Sequence, residues 1–283
     1  MDKDLSQKRI RLPAVASMFY PGDFKELRYE VRSYLNRSIL NKNALTQNNK
    51  DIYDVKALIV PHAGYIYSGE IAASAYRLLL QNSKKYNRVL ILGPAHHVWI
   101  SGAAFPSTEI FETPLGKIKL DKVLMKKIMK KLPWISVNEE AHFQEHCIEV
   151  QLPFLQEVLD DFELIPMVVG ESNPAQIAEV IDQFIEDEQT LIVISTDLSH
   201  FNDYETATTN DLRTANAIEH LELENLYSED ACGVYPLRGF LSVAKKKEWD
   251  VYRLGLCNSG DTSGDRQRVV GYGAWAFTEE LLF

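Results

Sequence analysis

The sequence predicts an α/β protein in which a mostly parallel sheet lies between helix layers. Two observations predict it. Short, continuously apolar runs alternate with stretches of helical period, and such runs read as strands buried on both faces. Three of these runs end in polar residues that a strand does not need, which is where open α/β sheets place their ligands.

From the start, Pro21-Gly22-Asp23 reads as a turn and helix cap, and Leu27, Val31 and Leu35 recur at helical spacing, giving a first helix to about Asn36. Asn41 to Asp54 is rich in Asn, Lys and Gln and is expected to be a mobile loop. Val55 to Val60 then reads as a strand, Gly69 to Leu80 as a helix and Arg88 to Leu92 as a second strand. Ala103 to Leu120 carries Pro106, Pro114 and Gly116 amid alternating apolar residues, the pattern of an edge hairpin or excursion. Leu164 to Val169 and Leu191 to Ser195 are two further buried strands. The helix between them, Pro174 to Ile185, has proline at its first position. Helices at Tyr204 to Leu221 and Pro236 to Lys247 and strands at Val251 to Leu256 and Val269 to Phe277 complete the chain. The Gly-rich stretch Asn258 to Asp265 fits neither phosphate-loop nor dinucleotide patterns and reads as a lid or a plain connection. With no internal repeat, residues 1–283 are expected to form one domain.

The formal net charge of -10 repels phosphate backbones and anionic headgroups, so neither nucleic acid nor a membrane surface is an expected partner. Cys147, Cys232 and Cys257 are an odd number with no C-x-x-C pair, which points to a reducing cytoplasm. No apolar run approaches the roughly 20 residues of a membrane span, and Met1 to Leu12 lacks the apolar region of a secretion signal.

The chemistry lies at the strand ends. His62 follows the first strand, His96 and His97 follow Gly93-Pro94, and Asp197 and His200 follow the strand ending at Ser195. Imidazole is the commonest metal ligand near neutral pH, and three converging histidines would leave coordination positions for substrate. A lone histidine there would more often be a hydrogen-bonded structural residue. Adjacent side chains on extended backbone point apart, so His96 is the expected ligand. His97 then orients its neighbour, touches substrate or bonds to the backbone. Asp197 is an extra ligand, an acceptor for an imidazole N–H, a general base or simply a turn cap. The segment His142-Phe-Gln-Glu145-His146 matches the inverted zincin motif H-x-x-E-H, which makes a zinc peptidase the third functional reading.

Val60-Pro-His62-Ala-Gly-Tyr65, Leu92-Gly-Pro-Ala-His96-His97, Glu145-His146-x-x-Glu149-x-x-Leu152-Pro153 and Ser195-x-Asp197-x-x-His200 resemble, in order, the signature blocks of the MEMO family. Ser17-Met-Phe19-Tyr20-Pro21 adds a fifth. The resemblance covers nearly the whole chain. It implies three αβα layers with a mostly parallel or mixed central sheet, similar to class III extradiol ring-cleavage dioxygenases, and puts His62, His96 and His200 in the places of the metal-site histidines. Asp197, Glu145, His146 and Cys232 match positions of the same pocket and are the expected catalytic groups, with His97, Phe19 and Tyr65 against the substrate. The expected metal is Fe(2+), with Cu and Zn as alternatives, and the expected chemistry is iron-dependent redox or oxygen activation on a small substrate.

A non-enzymatic module binding a peptide or protein through that pocket is the second reading. Animal members are associated with phosphotyrosine peptides, but carry Trp where this chain has Phe19 and Gly-Arg-His-Pro where Gly-Val-Tyr-Pro follows Cys232. Microbial relatives often act in a three-part system, AmmeMemoRadiSam, with a radical-SAM protein and an AMMECR1-like protein, which the resemblance suggests as partners.

Overall fold

A computed structural model describes residues 9–38 and 54–279; Asn41 to Tyr53, nearly all of the expected mobile loop, lies outside the described residues. Strand β1 (Ile10–Arg11) leads to α1 (Phe24–Ser38), whose first turn is capped as the sequence suggests. Asp23 Oδ1 accepts the N–H groups of Lys25 and Glu26 at 2.8 and 3.1 Å. Leu27, Val31 and Leu35 are buried.

Strand β2 (Val55–Val60) has the expected bounds, and α2 (Tyr65–Tyr76) and β3 (Arg88–Pro94) follow. Helix α2 starts one turn before Gly69 because the Tyr65 N–H donates to Phe19 O at 2.7 Å. That long-range contact leaves no trace in local periodicity.

The Ala103 to Leu120 stretch divides between two sheets. Strand β4 (Ala103–Phe105) enters the main sheet, whereas β5 (Ile110–Thr113) and β6 (Gly116–Lys119) form a hairpin that joins β1 in a three-stranded sheet. Helix α3 (Lys122–Lys131), capped by Asp121, and strand β7 (Ile135–Val137) were not evident from the sequence. The short helices α4 (Glu140–Phe143) and α5 (Leu152–Val158) flank the Glu145 region, and β8 (Glu163–Val169), α6 (Pro174–Ile181) and β9 (Thr190–Ser195) come next.

The C-terminal part contains β10 (His200–Asn202), α7 (Tyr204–Glu219), α8 (Val234–Lys246), β11 (Asp250–Asn258), α9 (Ser259–Ser263) and β12 (Val269–Thr278). The Gly-rich stretch is therefore a short helix capped by Asn258, fastened to α7 by the Tyr204 hydroxyl, which donates to Asp261 Oδ1 at 2.7 Å.

The main sheet is mixed, in the order β10-β12-β2-β9-β3-β8-β4-β7, with β11 also on β12. Its centre, β2-β9-β3-β8, is parallel; β12 runs antiparallel to β2 and β4 antiparallel to β8. Helices α1, α2 and α5 pack together, and α2 also lies on β2, β11 and β12. Helices α6 and α8 pair, with α8 on β3 and β9, completing an αβα arrangement. Strand β9 is buried throughout, β2 except at its second residue and β3 except at its first, which explains their unbroken apolar runs. No helix among the described residues is long and apolar enough to cross a membrane.

Candidate metal centre

Register brings the site together. Val60 of β2 pairs with Ser195 of β9, and Leu92 of β3 with Ile194 of β9. His62, His96 and Asp197 each stand two residues beyond the last residue of their strand, so they meet at one sheet edge. Two close approaches complete the wall. A Cβ on Gly93 would lie 2.5 Å from Cys147 Sγ, so glycine lets the segment bearing Glu145 reach the end of β3. A Cβ on Gly233 would lie 2.7 Å from the Cβ of Thr196, so glycine lets the Cys232 loop close on the end of β9.

The hydrogen bonds fix the tautomers of the histidines. Ser195 has one hydroxyl proton, donated to Cys147 O at 2.6 Å. Toward His62 Nδ1, 2.9 Å away, the same oxygen accepts, so Nδ1 carries the proton and Nε2 the lone pair. Gln151 Nε2 donates to that oxygen too, at 2.8 Å. For His96 the argument is shorter. Its Nδ1 lies 2.8 Å from Glu145 Oε1, and an ionised carboxylate only accepts, so Nε2 is again free. His200 donates Nδ1–H to Leu198 O at 2.8 Å.

Cys232 Sγ lies 3.2 Å from His62 Nε2 and accepts the Asp197 N–H at 3.3 Å. Donor atoms of His62, His96 and Cys232 all fall within 4.8 Å of one another. His200 is not in this group, although its charge would act on His62 and Asp197. The donor set suits a transition metal: two imidazoles with their second nitrogens anchored, and a sulfur that a metal would turn into thiolate. Burial and then the charge of His96 hold the His62 imidazole well below its ordinary value, so it is neutral and ready to ligate. Burial and then the Asp197 charge push the Cys232 thiol up to about 12.

Glu145, 2% exposed, is the hub of the second wall. Oε2 accepts the His96 N–H at 2.7 Å, and Oε1 accepts His96 Nδ1–H and the N–H groups of His146 and Cys147 at 2.8 to 3.1 Å. Burial raises its carboxyl, but these bonds outweigh burial and hold it far below the usual carboxylate range. Glu145, His96 and His146 also lie within metal-ligand distance of each other. With four N–H groups on its oxygens, the carboxylate is better described as an anchor than as a ligand. His146 stacks on His96 with ring centres 4.8 Å apart and packs at a tilt of 52° against Phe19, also at 4.8 Å. Burial and then the His62 charge lower its imidazole to about 4. Asp197 is 5% exposed, and Oδ1 accepts the His62 N–H at 2.7 Å rather than an imidazole N–H. Burial raises its carboxyl above the ordinary value.

Of the expected substrate contacts, Phe19 lines the pocket beside His146, and the His97 ring lies 6.3 Å from that of His146 on the exposed side. Tyr65 belongs to the core instead: it is 3% exposed and its hydroxyl donates to Val150 O at 2.6 Å. The zinc peptidase reading is overturned. His142 is buried with Nε2 donating to Ala104 O at 2.9 Å, and α4 ends at Phe143, so His142 and His146 share no helical face.

Sequence reasoning missed the supports Ser195, Gln151 and Arg11 as functional groups. Arg11, 4% exposed, donates to His142 O at 2.7 Å, Glu145 O at 2.6 Å and Glu149 Oε2 at 2.7 Å. Only its position in an otherwise polar start, beside apolar residues, could have marked it.

A family model described as Memo-like protein matches residues 11–276. A MEMO1 family protein of Saccharolobus islandicus is 36% identical over 283 residues, covering 94% of this chain and 99% of the relative. One from Saccharolobus solfataricus is 37% identical with the same coverage. A third, from Metallosphaera sedula, is 34% identical over 281 residues, covering 95% of this chain and 99% of its own. On these matches, which run through every segment that builds the pocket, the chain belongs to the Memo-like protein family.

Proposed function

We propose that the chain is a metal-dependent redox protein that holds one iron ion through His62, His96 and Cys232 and acts on a small oxygenated substrate. The observation that carries this reading is the convergence of one ring nitrogen each of His62 and His96 with the Cys232 sulfur within 4.8 Å, the Nδ1 proton of each imidazole being anchored. Cys232 takes the ligand place expected for His200, and His200 becomes a pocket residue. Copper and zinc suit the same donors, so metal identity is part of the test.

Bound iron would supply Lewis acidity and the capacity to activate dioxygen. The chain's own residues do the rest. Glu145 keeps the His96 ring in register and stays ionised. His146, neutral at physiological pH, accepts a hydrogen bond from a substrate hydroxyl and orients it, being too weak a base to hold its proton. Asp197, buried beside the donors, fixes the His62 backbone.

Elemental analysis of tag-free protein purified anaerobically tests the proposal. About one iron per chain is expected in the wild type, with loss in His62→Ala and Cys232→Ser and retention in His200→Gln. Stoichiometric metal in both of the first two variants would overturn it.

One observation favours a second reading, a peptide-binding module. Met18, Trp99 and Phe201, each adjacent to or near pocket residues in sequence, are 71%, 76% and 63% exposed. Peptide affinity unchanged by chelation would support this reading, whereas metal-dependent oxygen consumption would exclude it.

A further inference from the structure

We propose that Arg268, with the Phe201 ring beside His200, forms a subsite for the carboxylate of a small organic acid; the proposal rests on the metal-centre reading and names the substrate class it would serve. The first observation is conformational. Phe201, next to His200, adopts φ +62° and is 63% exposed, at an irregularity where β10 pairs with β12. A bulky residue in left-handed backbone with its ring in water is disfavoured twice over, and such outliers gather at ligand sites.

The second observation is chemical. The guanidinium of Arg268 lies 5.0 Å from the centre of the Phe201 ring, and that ring lies 5.7 Å from the His200 imidazole. Arg268 forms no ion pair among the described residues, so its donor fork is not committed to a carboxylate of this chain. Its neighbour Arg266 behaves differently. It lies 4.2 Å over the Tyr204 ring, and its carbonyl accepts the Tyr204 N–H at 3.0 Å, which directs it to the start of α7. His200 has its Nδ1 proton on Leu198 O and so presents Nε2 as an acceptor; it flanks the Phe201 ring and is not a donor to the carboxylate. One uncommitted guanidinium and one exposed aromatic face thus stand beside His200.

Charge selects the class of anion. A guanidinium fork matches a carboxylate or a phosphate. A dianionic phosphate normally needs several cations or an open helix N-terminus. Here the nearby start of α7 is already capped by the Asp203 carboxylate, and the chain carries a formal charge of -10. A monoanionic carboxylate with an apolar body against Phe201 fits these constraints.

Calorimetric titration of the full chain with benzoate and with inorganic phosphate, on preparations of measured metal content, tests the inference. Benzoate should bind the wild type, Arg268→Gln should weaken it about tenfold, and Arg266→Gln, the same change of charge, should alter it less than about twofold. Phe201→Leu should reduce the preference for benzoate over acetate. Failure of benzoate to bind, equal weakening by both arginine variants, or tighter Arg268-dependent binding of phosphate would each overturn the proposal. Benzoate binding through Arg268 in protein that never retains metal would leave the subsite standing and remove the metal-centre reading.

Discussion

The Nε2 atom of His62 lies 3.2 Å from the Sγ atom of Cys232, across 170 positions of sequence. A thiol pushed up to about 12 is a poor nucleophile at neutral pH, so the site is not built for cysteine chemistry on its own. A metal changes that by displacing the proton. His62 is neutral already and releases none. Above the ordinary imidazole range, between roughly pH 7.5 and 9, apparent metal affinity should therefore rise about tenfold per pH unit, the signature of the one proton released by the thiol. Competition against a chromophoric chelator measures the slope. Cys232→Ser should lower affinity and flatten the dependence; a flat wild-type curve would contradict a thiolate ligand.

Glu145 holds His96 by both its ring and its backbone, so replacing it acts on the metal without removing a donor. Glu145→Gln should lower metal affinity by about 10- to 100-fold. It should also destabilise the chain, because an amide cannot accept from four N–H groups and each buried orphan costs about 1–3 kcal/mol. The sign with pH follows from the depressed carboxyl. Its stabilisation is complete above the unfolded value of about 4.3 and is lost as pH falls below it. Urea melts at pH 7 and pH 4 should show a smaller difference for the variant than for the wild type.

Arg11 and Glu149 form an ion pair with side chains 2% and 0% exposed. Glu149 also accepts the N–H groups of Ala14 and Val15 and the Tyr20 hydroxyl, at 2.6 to 2.9 Å. The pair therefore ties the first strand and the Phe19 loop to the Glu145 segment. Removing one partner leaves a buried charge, so Arg11→Met should cost about 3–5 kcal/mol. Arg32, about half exposed, provides the comparison: its partner Glu157 is also held by Arg28 and keeps a cation, so Arg32→Met should cost about 0–1 kcal/mol. Equal losses in equilibrium unfolding would refute the buried clamp.

The parts of the fold that local pattern encodes were legible. Val55 to Val60 and Leu191 to Ser195 are strands because continuous apolar runs suit the middle of a parallel sheet. Helix α3 was not legible: it carries Lys on half of its 10 positions and buries only Met125 and Ile128. The three strand-end positions His62, His96 and Asp197 were legible as a site because each follows an evident strand. Cys232 was legible only through the resemblance and not from local pattern, since its loop belongs to no strand and reaches Thr196 only through the clearance at Gly233. His200 and Tyr65 show the converse limit. Their motifs are intact, but a three-residue strand and a hydroxyl on Val150 decide where the side chains sit.

His142 offers the cleanest separation of stability from site chemistry. Burial lowers its imidazole to about 4, and the ring donates to Ala104 O inside the core. The unfolded chain, with an imidazole near 6.5, binds more protons across that interval. Its contribution to stability is thus whole above about pH 6.5 and declines as pH falls toward 4. His142→Leu should cost about 1–3 kcal/mol at pH 7.5 by orphaning the Ala104 carbonyl. The same variant should lose less stability than the wild type on going from pH 7.5 to pH 5, because no buried imidazole is then waiting to be protonated. Metal content should not change, since His142 belongs to neither group of clustered donor side chains among the described residues and its Nε2 is on Ala104 O. Urea melts at the two pH values with parallel metal analysis read both effects. A variant that keeps its stability but loses its metal would return His142 to the site and reverse the assignment made from the Ala104 hydrogen bond.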